Sequence, residues 1–251
     1  MIYFTWPSGA GGDFLMSLGL ILTGKVNEIT FDKRNFQFFH PKSIAYRYDD
    51  VYIETNLDSS EFEKDLTDTK YILGHDNFGI NYSVDYSLFD KVVHIRAEDY
   101  FTLSYISALY WTKVVAYDAM KDGWEHNPFD FRHTYQENWK INQHHDVTNI
   151  NYAALFYKTD YRAIERLFSA LDMPLTNEQV ELAAKCLKVY KDANDHHLVQ
   201  KTYINDYPKE LITLKNDSPV ILLWEFCDMV KDLYHPVEID YKFIAPDGDD
   251  D

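Results

Sequence analysis

Apolar positions in this chain alternate between short continuous runs and longer stretches with helical spacing. The runs at 2–5, 50–55, 70–74, 91–95 and 147–152 predict strands, because short apolar and β-branched runs are typical of strands in a buried sheet. Spacing of three and four residues predicts helices at 14–22, 101–115 and 161–171. A further helix is predicted from the capping box at Thr176 through Val189, and Asp99 is the expected cap of the helix that contains Phe101.

Strands that alternate with helices predict an α/β fold. We expect a three-layer sandwich with a mainly parallel central sheet and helices on both faces. The chain contains no repeat and no linker, so residues 1–251 are interpreted as a single domain. Residues 121–146 are rich in aromatic and histidine side chains and are expected to form an insertion or lid, and the acidic tail 247–251 is expected to be frayed.

Composition and charge exclude several classes of partner. A formal net charge of −17 argues against a broad surface for nucleic acid or anionic membranes, since both require clustered lysine and arginine. No apolar run is long enough to cross a bilayer, and the chain opens on a strand instead of a secretory signal, so we expect a cytoplasmic protein. Cys186 and Cys227 are expected to be reduced core thiols. The paired histidines at 144–145 and 196–197 are expected to be structural or solvated rather than metal ligands.

The first predicted strand ends in a glycine-rich segment: Ser8, Gly9, Ala10, Gly11, Gly12 and Asp13, followed by Phe14. A strand, a glycine-rich turn and a helix bring backbone N–H groups and a helix N-terminus to one point, which favours an anionic group. The segment therefore predicts a phosphate-binding loop, although the Gly-Lys-Ser/Thr ending of nucleoside triphosphatases is absent. The alternative is a plain turn that the carboxylate of Asp13 caps.

Two more polar residues follow predicted strands. His75 comes after the run at 70–74, and Arg96 comes after the run at 91–95. Ligands of parallel sheets collect at the carboxyl ends of the strands, so the loop, His75 and Arg96 are expected at one edge. Ser104 follows Arg96 by about two helical turns, so a guanidinium and a hydroxyl can face one phosphate. The alternative is that Arg96 pairs with Glu98 or Asp99.

Four segments in order resemble the sulfotransferases that use 3'-phosphoadenosine-5'-phosphosulfate. Residues 3–15 are similar to the family's 5'-phosphosulfate loop, and residues 96–105, with Arg96 and Ser104, are similar to its 3'-phosphate motif. His75 occupies the place of the strand-end histidine that acts as base in the cytosolic branch. Residues 150–155, with Tyr152, look like a further segment of the family. The resemblance covers most of residues 1–175.

This resemblance implies a P-loop nucleotide-hydrolase-like fold and a sulfotransferase activity that needs no metal. It implies that the amides from Gly9 to Asp13, with the start of the following helix, hold the 5'-phosphosulfate. Arg96 and Ser104 would then hold the 3'-phosphate, Tyr152 would contact the adenine, and His75 would act as general base. The acceptor would be a hydroxyl or amine of a small molecule or carbohydrate.

The loop departs from the family because it has no basic residue; Gly9 or Ala10 stands at that position. Lys25, Lys33 and Arg34 are candidates to supply the missing charge. Two other interpretations stay open. One is a phosphoryl transferase related to nucleotide kinases, with Asp76 as the magnesium-holding acid. The other is a non-catalytic nucleotide-binding module that has lost the loop lysine.

Overall fold

The computed structural model describes residues 1–7, 9–32, 37–38, 45–48, 51–55, 69–76, 86–110, 147–200 and 211–233. The expected aromatic insertion at 121–146 and the acidic tail at 247–251 lie outside these residues, as do Ser8, Lys33 and Arg34.

A six-stranded sheet forms the centre of the fold. Its strands are β1 (Ile2–Pro7), β4 (Ala45–Tyr48), β5 (Val51–Thr55), β6 (Tyr71–Asp76), β7 (Lys91–Arg96) and β8 (Val147–Asn151). They lie in the order β4-β5-β6-β1-β7-β8. Among the described strands of this sheet, the pairs β5–β6, β6–β1, β1–β7 and β7–β8 are parallel, and β4 runs antiparallel to β5. The predicted α/β class with a mainly parallel sheet is confirmed, and the five predicted strands are present.

The described residues include six α-helices between and after these strands: α1 (Gly12–Leu22), α2 (Tyr100–Tyr110), α3 (Tyr152–Phe156), α4 (Tyr161–Ala170), α5 (Asn177–Gln200) and α6 (Pro219–Leu233). The predicted start of α2 is confirmed, since Asp99 accepts from the backbone N–H and the hydroxyl of Thr102 at 2.7 Å each. The capping box of α5 is also confirmed. Thr176 N–H donates to Gln179 Oε1 at 2.8 Å, and Gln179 N–H donates to Thr176 Oγ1 at 3.3 Å.

A second, three-stranded antiparallel sheet was not predicted. It consists of β2 (Glu28–Asp32), β3 (Gln37–Phe38) and β9 (Leu211–Lys215), in the order β3-β2-β9. Lys215 Nζ lies 2.8 Å from Glu28 Oε2 across the β2–β9 pair. Ile29 belongs to the main apolar core and Leu214 packs against it, so this sheet is joined to the rest of the fold.

The main core lies on one face of the central sheet. Alternate side chains of β1, Ile2, Phe4 and Trp6, enter it together with the buried residues of the helices. The intervening positions of β1, β6 and β7 include Tyr3, Ile72 and Val92. Together with Phe89, which precedes β7, these residues form a smaller apolar cluster. None of these four residues belongs to a helix, so the described residues do not show the second helical layer that the sequence predicts.

Helices α1 and α5 run antiparallel, and α5 contacts α1 at both ends of α1. At the end of α1, Gln179 Nε2 donates to the carbonyl oxygen of Leu22 at 2.6 Å. At its start, the ring of Tyr190 lies against Gly11 and stacks on Phe14, with ring centroids 4.0 Å apart. Eleven positions separate the two contacts on each helix, about 16 Å at 1.5 Å per residue. The remainder of α5, from Lys191 onward, therefore continues past the start of α1.

The two cysteines lie where α5 packs on α6. Both are buried free thiols, as predicted, and the Sγ atoms of Cys186 and Cys227 are 3.6 Å apart. The hydrogen bond between them, together with burial, raises the pKa of Cys186. Among the helices that the structure describes, none combines the length and apolar character that crossing a bilayer requires.

Candidate functional site

The central strand β1 lies between β6 and β7, with all three strands parallel. Trp6 pairs with His75 and Pro7 pairs with Asp76, so the backbone of His75 is level with the end of β1. On the other side, Arg96 is the last residue of β7 and pairs with Asn151 of β8. His75 and Arg96 thus lie within the last two residues of β6 and β7 and not after these strands, and the glycine loop follows β1 at the same edge of the sheet.

The loop between β1 and α1 is a tight turn. Ala10 N–H donates to the carbonyl of Pro7 at 2.9 Å, and Gly9 and Gly11 adopt φ values of 94° and 73°, which glycine tolerates best. Gly11 is the N-cap of α1, without a side-chain cap, and Asp13 lies inside the first turn. Asp13 therefore lies two residues after the N-cap, and its capping of the turn stays an alternative prediction.

Three backbone amides lie at the start of α1, where the helix follows the loop. The first hydrogen bond of the helix runs from Leu15 N–H to the carbonyl of Gly11 at 3.0 Å. The amides of Gly12, Asp13 and Phe14 precede this bond and lie at the positive end of the helix dipole. Asp13 places a negative charge at the same point, which stabilises α1 and opposes a bound anion.

The protein itself fills the space beside two of the glycines. A Cβ on Gly12 would lie 1.9 Å from the Trp6 ring, and a Cβ on Gly11 would lie 3.0 Å from Cε1 of Tyr190. The sequence suggested that these glycines make room for a ligand. In the structure they make room for Trp6 and Tyr190, so any ligand approaches the loop from another side.

Arg96 lies half-buried at the end of β7. The two acids proposed as its alternative partners bind elsewhere: Asp99 binds Thr102 through both carboxylate oxygens, and Glu98 accepts a hydrogen bond from the side-chain amide of Asn151. In the described part of the chain, Arg96 is thus a cation at the sheet edge whose neighbouring carboxylates are committed to other groups.

Three other predicted site residues are buried in the described structure. Phe14 is 2% exposed and stacks on Tyr190, whereas Ser104 and Tyr152 are each 1% exposed. Tyr152 lies among rings of the core, with its centroid 5.8 Å from that of Tyr157. Almost none of the surface of these three side chains is therefore exposed.

Lys25 is at the wrong end of α1 to supply the charge that the loop lacks. Its Nζ lies 5.9 Å from the ring centroid of Tyr71, the first residue of β6, and its backbone N–H bonds to Leu20 at the end of α1. Helix α1 has 11 residues and spans about 16 Å, so Lys25 and the loop lie at opposite ends of it.

The end of α5 contributes a buried polar cluster that the sequence analysis did not identify. Lys191, Asn194 and Asp195 are 8%, 1% and 4% exposed. Lys191 Nζ forms an ion pair with Asp195 Oδ2, and the hydroxyl of Tyr105 donates to Asp195 Oδ1 at 2.6 Å. Lys191 Nζ also lies 5.5 Å from the ring centroid of Tyr157. We call Lys191, Asp195, Tyr105 and Tyr157 the α5 cluster.

The contacts of α5 link it to three elements that leave the carboxyl edge of the sheet. Tyr190 contacts the start of α1, which follows β1. Asp195 contacts Tyr105 of α2, which follows β7, and Lys191 contacts Tyr157, just after α3, which follows β8. The sequence gives one signal for this arrangement: polar residues follow the apolar positions of the predicted helix, which ends at Val189, and α5 continues through them to Gln200.

Burial controls the ionisation of two tyrosines in this region, Tyr105 and Tyr190. Desolvation raises the pKa of Tyr105 well above its usual value, and the carboxylate of Asp195 raises it further. Burial likewise raises the pKa of Tyr190, with a smaller contribution from Asp13. Both hydroxyls keep their protons at neutral pH. Within the described ranges, no group of three or more His, Cys, Asp or Glu side chains could hold a metal ion.

Comparison with known proteins gives no relative for this arrangement. No model of a protein family matches the chain, and neither the curated proteins nor the solved structures contain a match.

Proposed function

We propose that this protein is a sulfotransferase that takes a sulfuryl group from 3'-phosphoadenosine-5'-phosphosulfate. The observation that carries the proposal is the strand order β6-β1-β7, which brings the glycine loop, His75 and Arg96 to one edge. An amide cradle, an imidazole residue and a guanidinium at neighbouring strand ends suit a ligand with phosphate groups at two positions. The proposal also takes the fold to be three-layered and P-loop-like.

The amides at the start of α1 are assigned to the 5'-phosphosulfate, where the helix dipole favours negative charge. Arg96 is assigned to the 3'-phosphate, because a guanidinium can bind phosphate through two parallel hydrogen bonds. Ser104 and Tyr152 are assigned to the wall behind the 3'-phosphate and the adenine, since their burial keeps them beneath the surface.

In the proposed reaction, an acceptor hydroxyl or amine attacks sulfur in line with the bridging oxygen of the donor. His75 takes the acceptor's proton as the new bond to sulfur forms. The bond from sulfur to the bridging oxygen breaks, and adenosine 3',5'-bisphosphate leaves with the negative charge. Because transfer of this kind depends on positioning and on charge stabilisation, fixed donors at the loop would supply most of the rate enhancement.

Titration calorimetry with adenosine 3',5'-bisphosphate, ATP and GTP, each with and without magnesium, tests the donor class. We expect metal-independent binding of the bisphosphate and weaker binding of both triphosphates. Magnesium-dependent binding of ATP or GTP in preference to the bisphosphate would instead support the kinase-like alternative. Bisphosphate binding without sulfuryl transfer to any of a panel of alcohols, phenols, amines and sugars would indicate the non-catalytic module.

A further inference from the structure

The proposed donor site lacks a cation at the loop, and the structure offers one from a distant part of the sequence. We propose that Lys191 supplies the positive charge that the β1–α1 loop lacks and binds the 5' end of the donor. This inference rests on the proposed function, because it names a further residue of the same site.

The path of α5 places Lys191 near the loop. Tyr190 contacts Gly11, the N-cap of α1, and Lys191 is the next residue. From there α5 continues for ten residues, about 15 Å, beyond the start of α1. The side chain of Lys191 also contacts Tyr157, just after the helix that follows β8, so Lys191 packs against an element that leaves the same edge of the sheet as α1.

The burial of Lys191 and Asp195 indicates that this ion pair does more than stabilise α5. The two side chains are 10% and 5% exposed, and taking two charges out of water costs more than a simple ion pair usually returns. The same helix contains an ordinary pair for comparison. Lys188 and Asp192 have the same spacing and a 2.7 Å contact, but their side chains are 69% and 40% exposed.

Asp195 contacts Lys191 and Tyr105 through different oxygens. Oδ2 contacts Lys191, whereas Oδ1 accepts from Tyr105 of α2. Tyr105 thus shares the negative charge of Asp195 and fixes its position relative to the helix that follows Arg96. Before the donor binds, Asp195 balances the lysine. The 5'-phosphosulfate then adds a second anion to the same ammonium, which stabilises charge on the bridging oxygen as it leaves.

The test compares Lys191→Met with Lys188→Met, which removes the exposed lysine of the same helix. Affinities for adenosine 3',5'-bisphosphate and adenosine 3'-phosphate are measured by calorimetry. We expect Lys191→Met to weaken bisphosphate binding about 10- to 100-fold, the range for loss of a charge-assisted hydrogen bond, with little effect on the 3'-phosphate ligand. Lys188→Met is expected to bind both ligands like the wild type.

Lys191→Met leaves Asp195 buried without its cation and can reduce folding. The double variant Lys191→Met/Asp195→Asn removes both charges and keeps an acceptor for Tyr105, so it preserves the fold for the binding measurement. The inference fails if the wild type binds the bisphosphate and the folded double variant binds it equally well. A wild type that binds neither ligand overturns the proposed function, and with it the inference.

Discussion

The ring of Tyr190 lies against Gly11, beside the position that a Cβ would take. A Cβ on this glycine would lie 3.0 Å from Cε1 and 3.2 Å from the hydroxyl oxygen of the tyrosine. The two residues are 179 positions apart in sequence (190 − 11), yet their contact sets the distance between the loop and α5. The loop is therefore positioned by tertiary packing as well as by its own turn.

Gly11→Ala is expected to lower both stability and donor affinity. Gly24 provides the matched control, because its φ is 68° and nothing lies within 4 Å of its missing Cβ. Gly24→Ala should cost about 1 kcal/mol of unfolding free energy for the left-handed backbone alone. Gly11→Ala, with φ 73° and the Tyr190 contact, should cost about 2 kcal/mol or more. Denaturant unfolding measures both, and equal losses would show that the Tyr190 contact is unimportant.

Arg96→Ala is expected to weaken binding of adenosine 3',5'-bisphosphate about 10- to 100-fold, because a guanidinium–phosphate contact is lost. Binding of adenosine 5'-phosphate should change little. Lys91→Ala removes the cation at the opposite end of the same strand, where Lys91 pairs with Asp172, and should bind both ligands normally. Calorimetry distinguishes these patterns. Equal loss of both ligands in Arg96→Ala would contradict the assignment of Arg96 to the 3' end.

His75→Ala is expected to bind the bisphosphate with unchanged affinity and to lose turnover. A positioned general base contributes about 100- to 10,000-fold to rate, so transfer to any acceptor should fall by that factor. The measurement is release of adenosine 3',5'-bisphosphate from the donor in the presence of acceptor. Turnover equal to that of the wild type would remove His75 from the mechanism.

The folded protein is expected to lose stability as pH rises above about 10, the ordinary pKa of tyrosine. Burial raises the pKa of Tyr71, Tyr105 and Tyr190, so these hydroxyls stay protonated when folded and ionise on unfolding. Below pH 10 their contribution is complete. Above it, each residue reduces the free energy of unfolding by about 1.4 kcal/mol per pH unit until the folded pKa is reached. Tyrosinate absorbance that appears only together with unfolding would agree with this expectation; early ionisation of these residues would contradict it.

Gln179→Ala is expected to cost about 2 kcal/mol of unfolding free energy, because its side chain makes two hydrogen bonds at about 1 kcal/mol each. One caps α5 through Thr176, and the other reaches the carbonyl of Leu22. Thr176→Ala removes the hydroxyl cap and should cost about 1 kcal/mol. Thermal or denaturant unfolding compares the two, and a smaller loss in Gln179→Ala would mean that the bond to α1 contributes little.

The central part of the fold could be predicted because its signals are local. The apolar runs of β1, β6 and β7 and the caps at Asp99 and Thr176 are each contained in a few neighbouring residues. The second sheet has no such signal. Its strand β2 pairs with β9, about 180 residues later, and short strands of this kind are recognisable only with their partner.

The candidate site could likewise be predicted only where its sequence signals are local. The loop, His75 and Arg96 could be placed because each follows an apolar run that predicts a strand, and the strand ends of a parallel sheet share an edge. Lys191 and Asp195 could not, because a polar residue in a helix gives no sign of burial until its neighbours from α2 and α3 are known. The glycines were recognised, but Gly12 lacks a side chain because the Trp6 ring fills the space beside it, and this packing contact is visible only in the folded structure.

Helices α1 and α5 have the same number of residues between their two contacts, Leu22–Gln179 and Gly11–Tyr190, and this has a consequence for how the protein can evolve. An extra residue between Gln179 and Tyr190 would rotate everything after it by about 100° and advance it by about 1.5 Å. Lys191 would then turn away from Tyr157, and Asp195 from Tyr105, even though every amino acid was retained. In homologues, substitutions between positions 179 and 190 should therefore be tolerated more readily than insertions or deletions, and insertions should accumulate elsewhere.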